Sequence, residues 1–211
     1  MLVWLCSLDK RLLWAIPAYG AIFIGINVLP GAWVALLGFH LVLIIPLLPR
    51  LRTLPARIFA PVSPALLLLM ACAGLLGGLG LWTIWPYTGA SIHYHANLSA
   101  LGMLSADFSW PLFIAYFSLV NPWIEESFWR DLLSSPARGP ALVDFVFAGF
   151  HLIILIPFVG LFWLLLALLI IATTGWVWRI IAHLSGGLLP AIVFHIFADF
   201  SIVWVVYLKS L

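Results

Sequence analysis

The sequence predicts an all-α fold: a polytopic bundle of about seven transmembrane helices, forming one integral membrane domain over residues 1–211. Three observations predict it. Of the 211 residues 65% are hydrophobic and 8% charged, where a soluble domain carries about 25% charge, and mean hydropathy is +1.22. Apolar runs of about 17–25 residues, the length that crosses roughly 30 Å of hydrocarbon, recur along the chain. Lys and Arg gather at every second junction between those runs.

The first span covers residues 12–29. Lys10 and Arg11 before an apolar run resemble a signal peptide, but the run is long and more spans follow, so a retained helix is expected. Pro30-Gly31 turns the chain into the second span, 32–48. A basic loop, 49–57, carries Arg50, Arg52 and Arg57 and leads to the third span, 64–85. Gly74, Gly77, Gly78 and Gly80 in that span allow close helix approach. A polar loop, 87–107, holds His93, His95 and Asn97. The fourth span, 108–133, is interrupted at Pro122. A short polar loop, 134–140, precedes the fifth and shortest span, 141–156. Pro157 and Gly160 permit the turn into the sixth, 161–181; a loop at 183–187 leads to the seventh, 188–208. Residues 1–107 are thus N-terminal helices, and 108–211 a core that carries the polar motifs.

Positive charge alternates with its absence at each crossing. The positive-inside rule then places the N-terminus in the cytoplasm and, after seven crossings, the C-terminus outside, with Lys209 the one mismatch. Several of the twelve Trp lie near span ends, as interfacial anchors do. A net charge of +2 is too small to imply nucleic acid. Cys6 and Cys72 are isolated in apolar surroundings and suggest neither a disulfide framework nor a thiolate metal site.

The stretch 121–133, NPWIEESFWRDLL, places Glu125, Glu126, Arg130 and Asp131 within a span. Charges at membrane depth cost roughly 2.5–3.5 kcal/mol each on insertion scales, so they face a protein interior and mark a functional site. His151 on the fifth span and His195 with Asp199 on the seventh lie at similar depths. At 1.5 Å rise per residue, Glu125 is roughly 12 Å from the cytoplasmic end, His151 roughly 15 Å, and His195 and Asp199 roughly 10 and 16 Å. His195 and Asp199 are i,i+4, on one helix face. Glu126 and Arg130 are also i,i+4, with the acid first, the favoured order for an ion pair. Glu125 is about 100° around the helix from Glu126, so one acid faces the site while the other holds Arg130. Phe147 is i,i+4 from His151 and packs beside it.

Plainer roles are expected elsewhere. His40, alone on the second span, donates a hydrogen bond to a neighbouring helix. His183 is solvated in a loop, and His93-x-His95 is a weak metal pattern in a polar loop. Asp144 sits at the favourable end of its helix dipole. Arg179, near a cytoplasmic helix end, snorkels.

Glu125-Glu126-x-x-x-Arg130, Phe147-x-x-x-His151 and His195-x-x-x-Asp199 together resemble, in order and spacing, the three motifs of the CAAX-protease and bacteriocin-processing (CPBP, abortive-infection) family of intramembrane proteases. That family includes the type II CAAX prenyl endopeptidases, and the resemblance runs from about Pro122 to the C-terminus. Two positions depart from it: Asp199 stands where the family commonly has Asn, and Asp131 where it often has Gly.

The resemblance implies a hydrolase, an intramembrane endopeptidase whose Glu125 and His151 activate water. Glu125 is then the general base, and His195 and Asp199 stabilise the oxyanion or hold a metal. Glu126 and Arg130 support the site. Zn2+ on His151, His195 and Asp199 is one route and a metal-free glutamate mechanism the other; the ligand types suit zinc, but there is no H-E-x-x-H. The partners implied are membrane lipids and a peptide or membrane-protein substrate, lipidated or not, reaching a site on the cytoplasmic side. Two rival readings stand beside it: a proton- or cation-coupled transporter, and a non-catalytic immunity or scaffold member of the same family. The absence of evident inverted repeats weakens the transporter.

Overall fold

A computed structural model describes residues 10–89 and 93–211 of the chain; Cys6 lies outside the described residues. Every regular element among them is helical. Helix α1 (Ala15–Phe23) is entered by a 3-10 turn, Lys10–Trp14, and left by a π-helical turn, Ile24–Val28. Then come α2 (Ala32–Leu47), α3 (Leu54–Ile58), α4 (Pro64–Ile84), α5 (Tyr94–Ala100), α6 (Trp110–Leu119) and α7 (Asn121–Glu126). A π-helical turn, Ser127–Leu132, continues α7; α8 (Leu142–Leu155), α9 (Leu161–Ser185) and α10 (Leu189–Ser210) complete the chain.

Five helical stretches among the described residues are long and apolar enough to cross a membrane: Lys10–Val28, Ala32–Arg50, Pro64–Tyr87, Leu161–Ser185 and Leu189–Ser210. The protein is an integral membrane protein of all-α class. The other two expected spans take a different form. The fourth is broken: Val120, at φ −108° and ψ −46°, separates α6 from α7, where Pro122 has no N–H to give the preceding turn. The fifth, α8, has 14 residues, short of a full crossing as one helix.

Two glycines of α4 let α10 approach closely. A Cβ on Gly78 would meet the Ser201 Cβ at 2.5 Å, and one on Gly74 would run into the backbone of Phe194. Ser201 exploits the contact, accepting from the Gly78 N–H at 3.0 Å and donating to the Gly74 carbonyl at 3.3 Å. This holds α10, which carries His195 and Asp199, against a helix outside the three motifs. A buried core of Phe39, Phe128, Trp129, Phe147, Phe150 and Trp178 ties α2, α7 and its π-helical turn, α8 and α9 together.

The loops are more ordered than a polar reading suggests. The expected loop at 87–107 contains α5, because Tyr94 and Leu98 are i,i+4 and both bury against Leu101, Met103 and Phe113. Tyr94 donates to the Val206 carbonyl and Asn97 to that of Pro157, pinning α5 to α10 and to the turn after α8. His93 and His95 are exposed. The basic loop contains α3, whose Arg57 carbonyl accepts from the Leu188 N–H at 2.9 Å. Asp131 explains that loop's placement: it lies 2.9 Å from Arg50 and 3.4 Å from Arg57.

Two expectations about single residues are corrected. Arg179 does not snorkel: it is fully buried and pairs with Asp144 at 2.7 Å, while also donating to the carbonyls of Ser135, Ala137 and Gly139. Its partner is 35 positions earlier, and the loop carbonyls complete its hydrogen bonding. Asp144 also caps the start of α8, accepting from the Ala141 N–H at 2.8 Å. His183 belongs to the last turn of α9, which runs four residues past the expected end, and its Nε2 lies 3.1 Å from Ser134 Oγ. Lys209, out of step with the charge rule, rests its ammonium 3.8 Å from the centre of the Trp82 ring.

Candidate active site

Asn121, Glu125 and Glu126 lie on α7, with Glu125 four and Glu126 five positions after Asn121, so one short helix supplies three polar groups to the interior. All three are buried. The π-helical turn that follows widens the helix under Arg130; such turns recur at functional sites. Arg130 Nε lies 3.4 Å from Glu126 Oε2, an ion pair shielded from solvent. The guanidinium sits 4.1 Å from the centre of the Phe147 ring and 5.5 Å from that of Trp178, a cation–π contact on two sides. Gly175 of α9 makes this possible: a Cβ there would lie 2.9 Å from the Phe147 ring and 3.2 Å from Arg130 Nη2.

Glu126 also reaches α10. Its Oε1 lies 2.9 Å from His195 Nδ1, so it joins the second histidine as well as Arg130. His195 Nε2 lies 3.4 Å from Asp199 Oδ1, the i,i+4 pair expected from spacing. Trp178 covers the His195 ring at 4.6 Å. Asp199 Oδ2 accepts from Asn121 Nδ2 at 3.0 Å, and Asn121 Oδ1 lies 2.9 Å from His40 Nε2 on α2. His40 Nδ1 in turn lies 3.1 Å from the Tyr116 hydroxyl on α6. His40 therefore does bond to neighbouring helices, and through Asn121 it touches the motif residues.

His151 on α8 is held differently. Its Nδ1–H donates to the Phe147 carbonyl at 3.0 Å, and its ring stacks on Phe150 at 4.0 Å and meets Phe147 edge-on at 5.0 Å. With the proton fixed on Nδ1, Nε2 is left as an acceptor. Glu125 lies within electrostatic range of His195, Asp199 and Glu126, and His151 within range of His195 and Arg130. Among the described residues Glu125 and His151 share no hydrogen bond, and Glu125 Oε2 is buried with no partner.

Among the described residues no three His, Cys, Asp or Glu side chains are grouped to hold a metal ion. His195 faces carboxylate oxygens with both ring nitrogens, Glu126 Oε1 at Nδ1 and Asp199 Oδ1 at Nε2.

Asn121 and Tyr116 went unrecognised in the sequence, as did the link from His40 to the motifs. A signal existed for Asn121, which is i,i+4 from Glu125 and therefore on its face. Nothing in sequence spacing pairs His40 with a residue 81 positions away.

Residues 107–201 match the family model described as type II CAAX prenyl endopeptidase Rce1-like. That segment carries all three motifs, and the family it matches is one of CAAX-type intramembrane proteases. No curated protein and no solved structure matches the chain.

Proposed function

We propose that this protein is an intramembrane endopeptidase that hydrolyses a peptide bond with water activated by Glu125 and His151, without a metal. The observation that carries the reading is the bare Glu125 Oε2, a buried carboxyl oxygen without a hydrogen-bond partner, on the helix that also carries Glu126 and within range of His195 and Asp199 of α10. An unsatisfied buried acceptor costs about 1–3 kcal/mol, more if charged, and such a cost is retained where it serves chemistry.

A water placed at Glu125 Oε2 and His151 Nε2 gives up a proton to Glu125 as its oxygen bonds to the scissile carbonyl carbon. The carbonyl π pair moves onto oxygen, and the oxyanion is met by the Nε2–H of His195, which Asp199 holds only loosely at 3.4 Å. The C–N bond then breaks, and the proton on Glu125 passes to the leaving amine. Asp199 acts through His195: Glu126 at Nδ1 and Asp199 at Nε2 hold the ring from both sides. A bare carboxylate at that place would repel the oxyanion, so its use is to hold the His195 ring.

The substrate is a peptide segment or membrane protein entering from the cytoplasmic side, with or without a lipid tail. Arg11, which donates to the Leu132 carbonyl at 3.2 Å, and the Arg50, Arg57 and Asp131 cluster gather basic residues at the end of the bundle assigned to that side. The test is hydrolysis, by purified protein in lipid nanodiscs, of fluorogenic peptides ending in a CAAX sequence, with and without a farnesyl group. Cleavage by the wild type and none by Glu125→Gln supports the reading; equal cleavage by both overturns it.

A further inference from the structure

We propose that Asn121 and His40, both outside the three motifs, are positioning residues that orient Asp199 and, through it, His195. The proposal rests on the endopeptidase reading for its effect on turnover, and on bonding geometry for the rest.

The direction of every bond in this chain follows from chemistry. An ionised Asp199 carboxylate only accepts, so the Asn121 group 3.0 Å from Oδ2 must be the amide N–H. Asn121 then turns its Oδ1 toward α2, and that oxygen requires a donor, which is His40 Nε2–H at 2.9 Å. A neutral His40 protonated on Nε2 has a lone pair on Nδ1, and the Tyr116 hydroxyl donates to it at 3.1 Å. Three helices besides α10, namely α2, α6 and α7, therefore fix which way the Asp199 carboxylate faces.

Burial makes the arrangement binding. His40 is 2% exposed and Asn121 1%. At that burial each broken bond leaves a polar group without its partner. Asp199 stands where the resembled family commonly has Asn, and Asn121 supplies an amide on the facing helix. The pair is thus an amide and a carboxylate with their places open to exchange.

That exchange is the test. Asn121→Asp keeps size and shape but sets two carboxylates against each other. Asn121→Asp with Asp199→Asn restores one amide and one carboxylate, and His40 Nε2–H still has an acceptor. Proteins in nanodiscs with 15N-labelled histidine are compared by NMR and by turnover of the fluorogenic CAAX-ending peptides.

The expected result is a His40 signal of the Nε2–H form in the wild type and displaced His195 signals in Asn121→Asp. Turnover falls about 10–100-fold with KM little changed, and both readouts recover in the exchanged pair. Wild-type His195 signals in Asn121→Asp, or no recovery in the exchanged protein, overturn the proposal. If Asn121→Asp does not fold, Tyr116→Phe takes its place, removing only the last donor, and must displace the His40 and His195 signals; unchanged signals overturn the proposal. If the wild type cleaves no peptide, the endopeptidase reading falls, and the His195 signals still decide the positioning claim.

Discussion

Glu126 Oε1 lies 2.9 Å from His195 Nδ1, with 0% and 5% of the two side chains exposed. The second acid of the Glu-Glu pair is therefore a bridge: one oxygen on the histidine of the third motif, the other 3.4 Å from Arg130. Glu126→Gln keeps the volume, removes the charge and presents either an oxygen or an N–H to His195. Turnover of the fluorogenic peptides is expected to drop about 10–100-fold, with the protein still folded. The same kinetic assay and a thermal melt in nanodiscs check this.

Arg179 and Asp144 form a second buried pair, with Nε 3.0 Å from Oδ1 and Nη2 2.7 Å from Oδ2. Removing one partner strands the other charge. Arg179→Ala is expected to cost about 3–5 kcal/mol, while Arg179→Met with Asp144→Asn costs markedly less, because no unpaired charge remains. Reversible denaturation of the three proteins in one detergent measures the difference.

Metal removal separates the two chemistries that the motif residues allowed. On the metal-free reading, dialysis against a strong chelator is expected to leave turnover unchanged, and added Zn2+ not to raise it. Elemental analysis of the active protein should find less than about one zinc per chain.

The three motifs were legible because helix periodicity alone brings Glu126 to Arg130, Phe147 to His151 and His195 to Asp199. Their common depth followed from span lengths, and in the structure Glu126 of α7 contacts His195 of α10. What escaped depends on packing between distant helices. Arg179 read as an exposed helix-end cation until Asp144 and three loop carbonyls surrounded it. His40 read as an isolated polar residue because its partners on α6 and α7 come close only once the bundle assembles. The break at Val120 was signalled by Pro122, but the π-helical turn beyond it has no proline or glycine to announce it. In the 87–107 loop, Tyr94 and Leu98 already spelled one helical face among polar neighbours.

The most direct measurement is the rate of peptide hydrolysis by purified wild-type protein and by Glu125→Gln, alongside proton uptake into liposomes holding each. Loss of cleavage by about 10²–10⁴-fold, the worth of a general base, with the variant folded and neither protein moving protons, is what a water-activating Glu125 predicts. Undiminished cleavage by Glu125→Gln, or proton uptake that vanishes with the substitution while no peptide is cut, would contradict it.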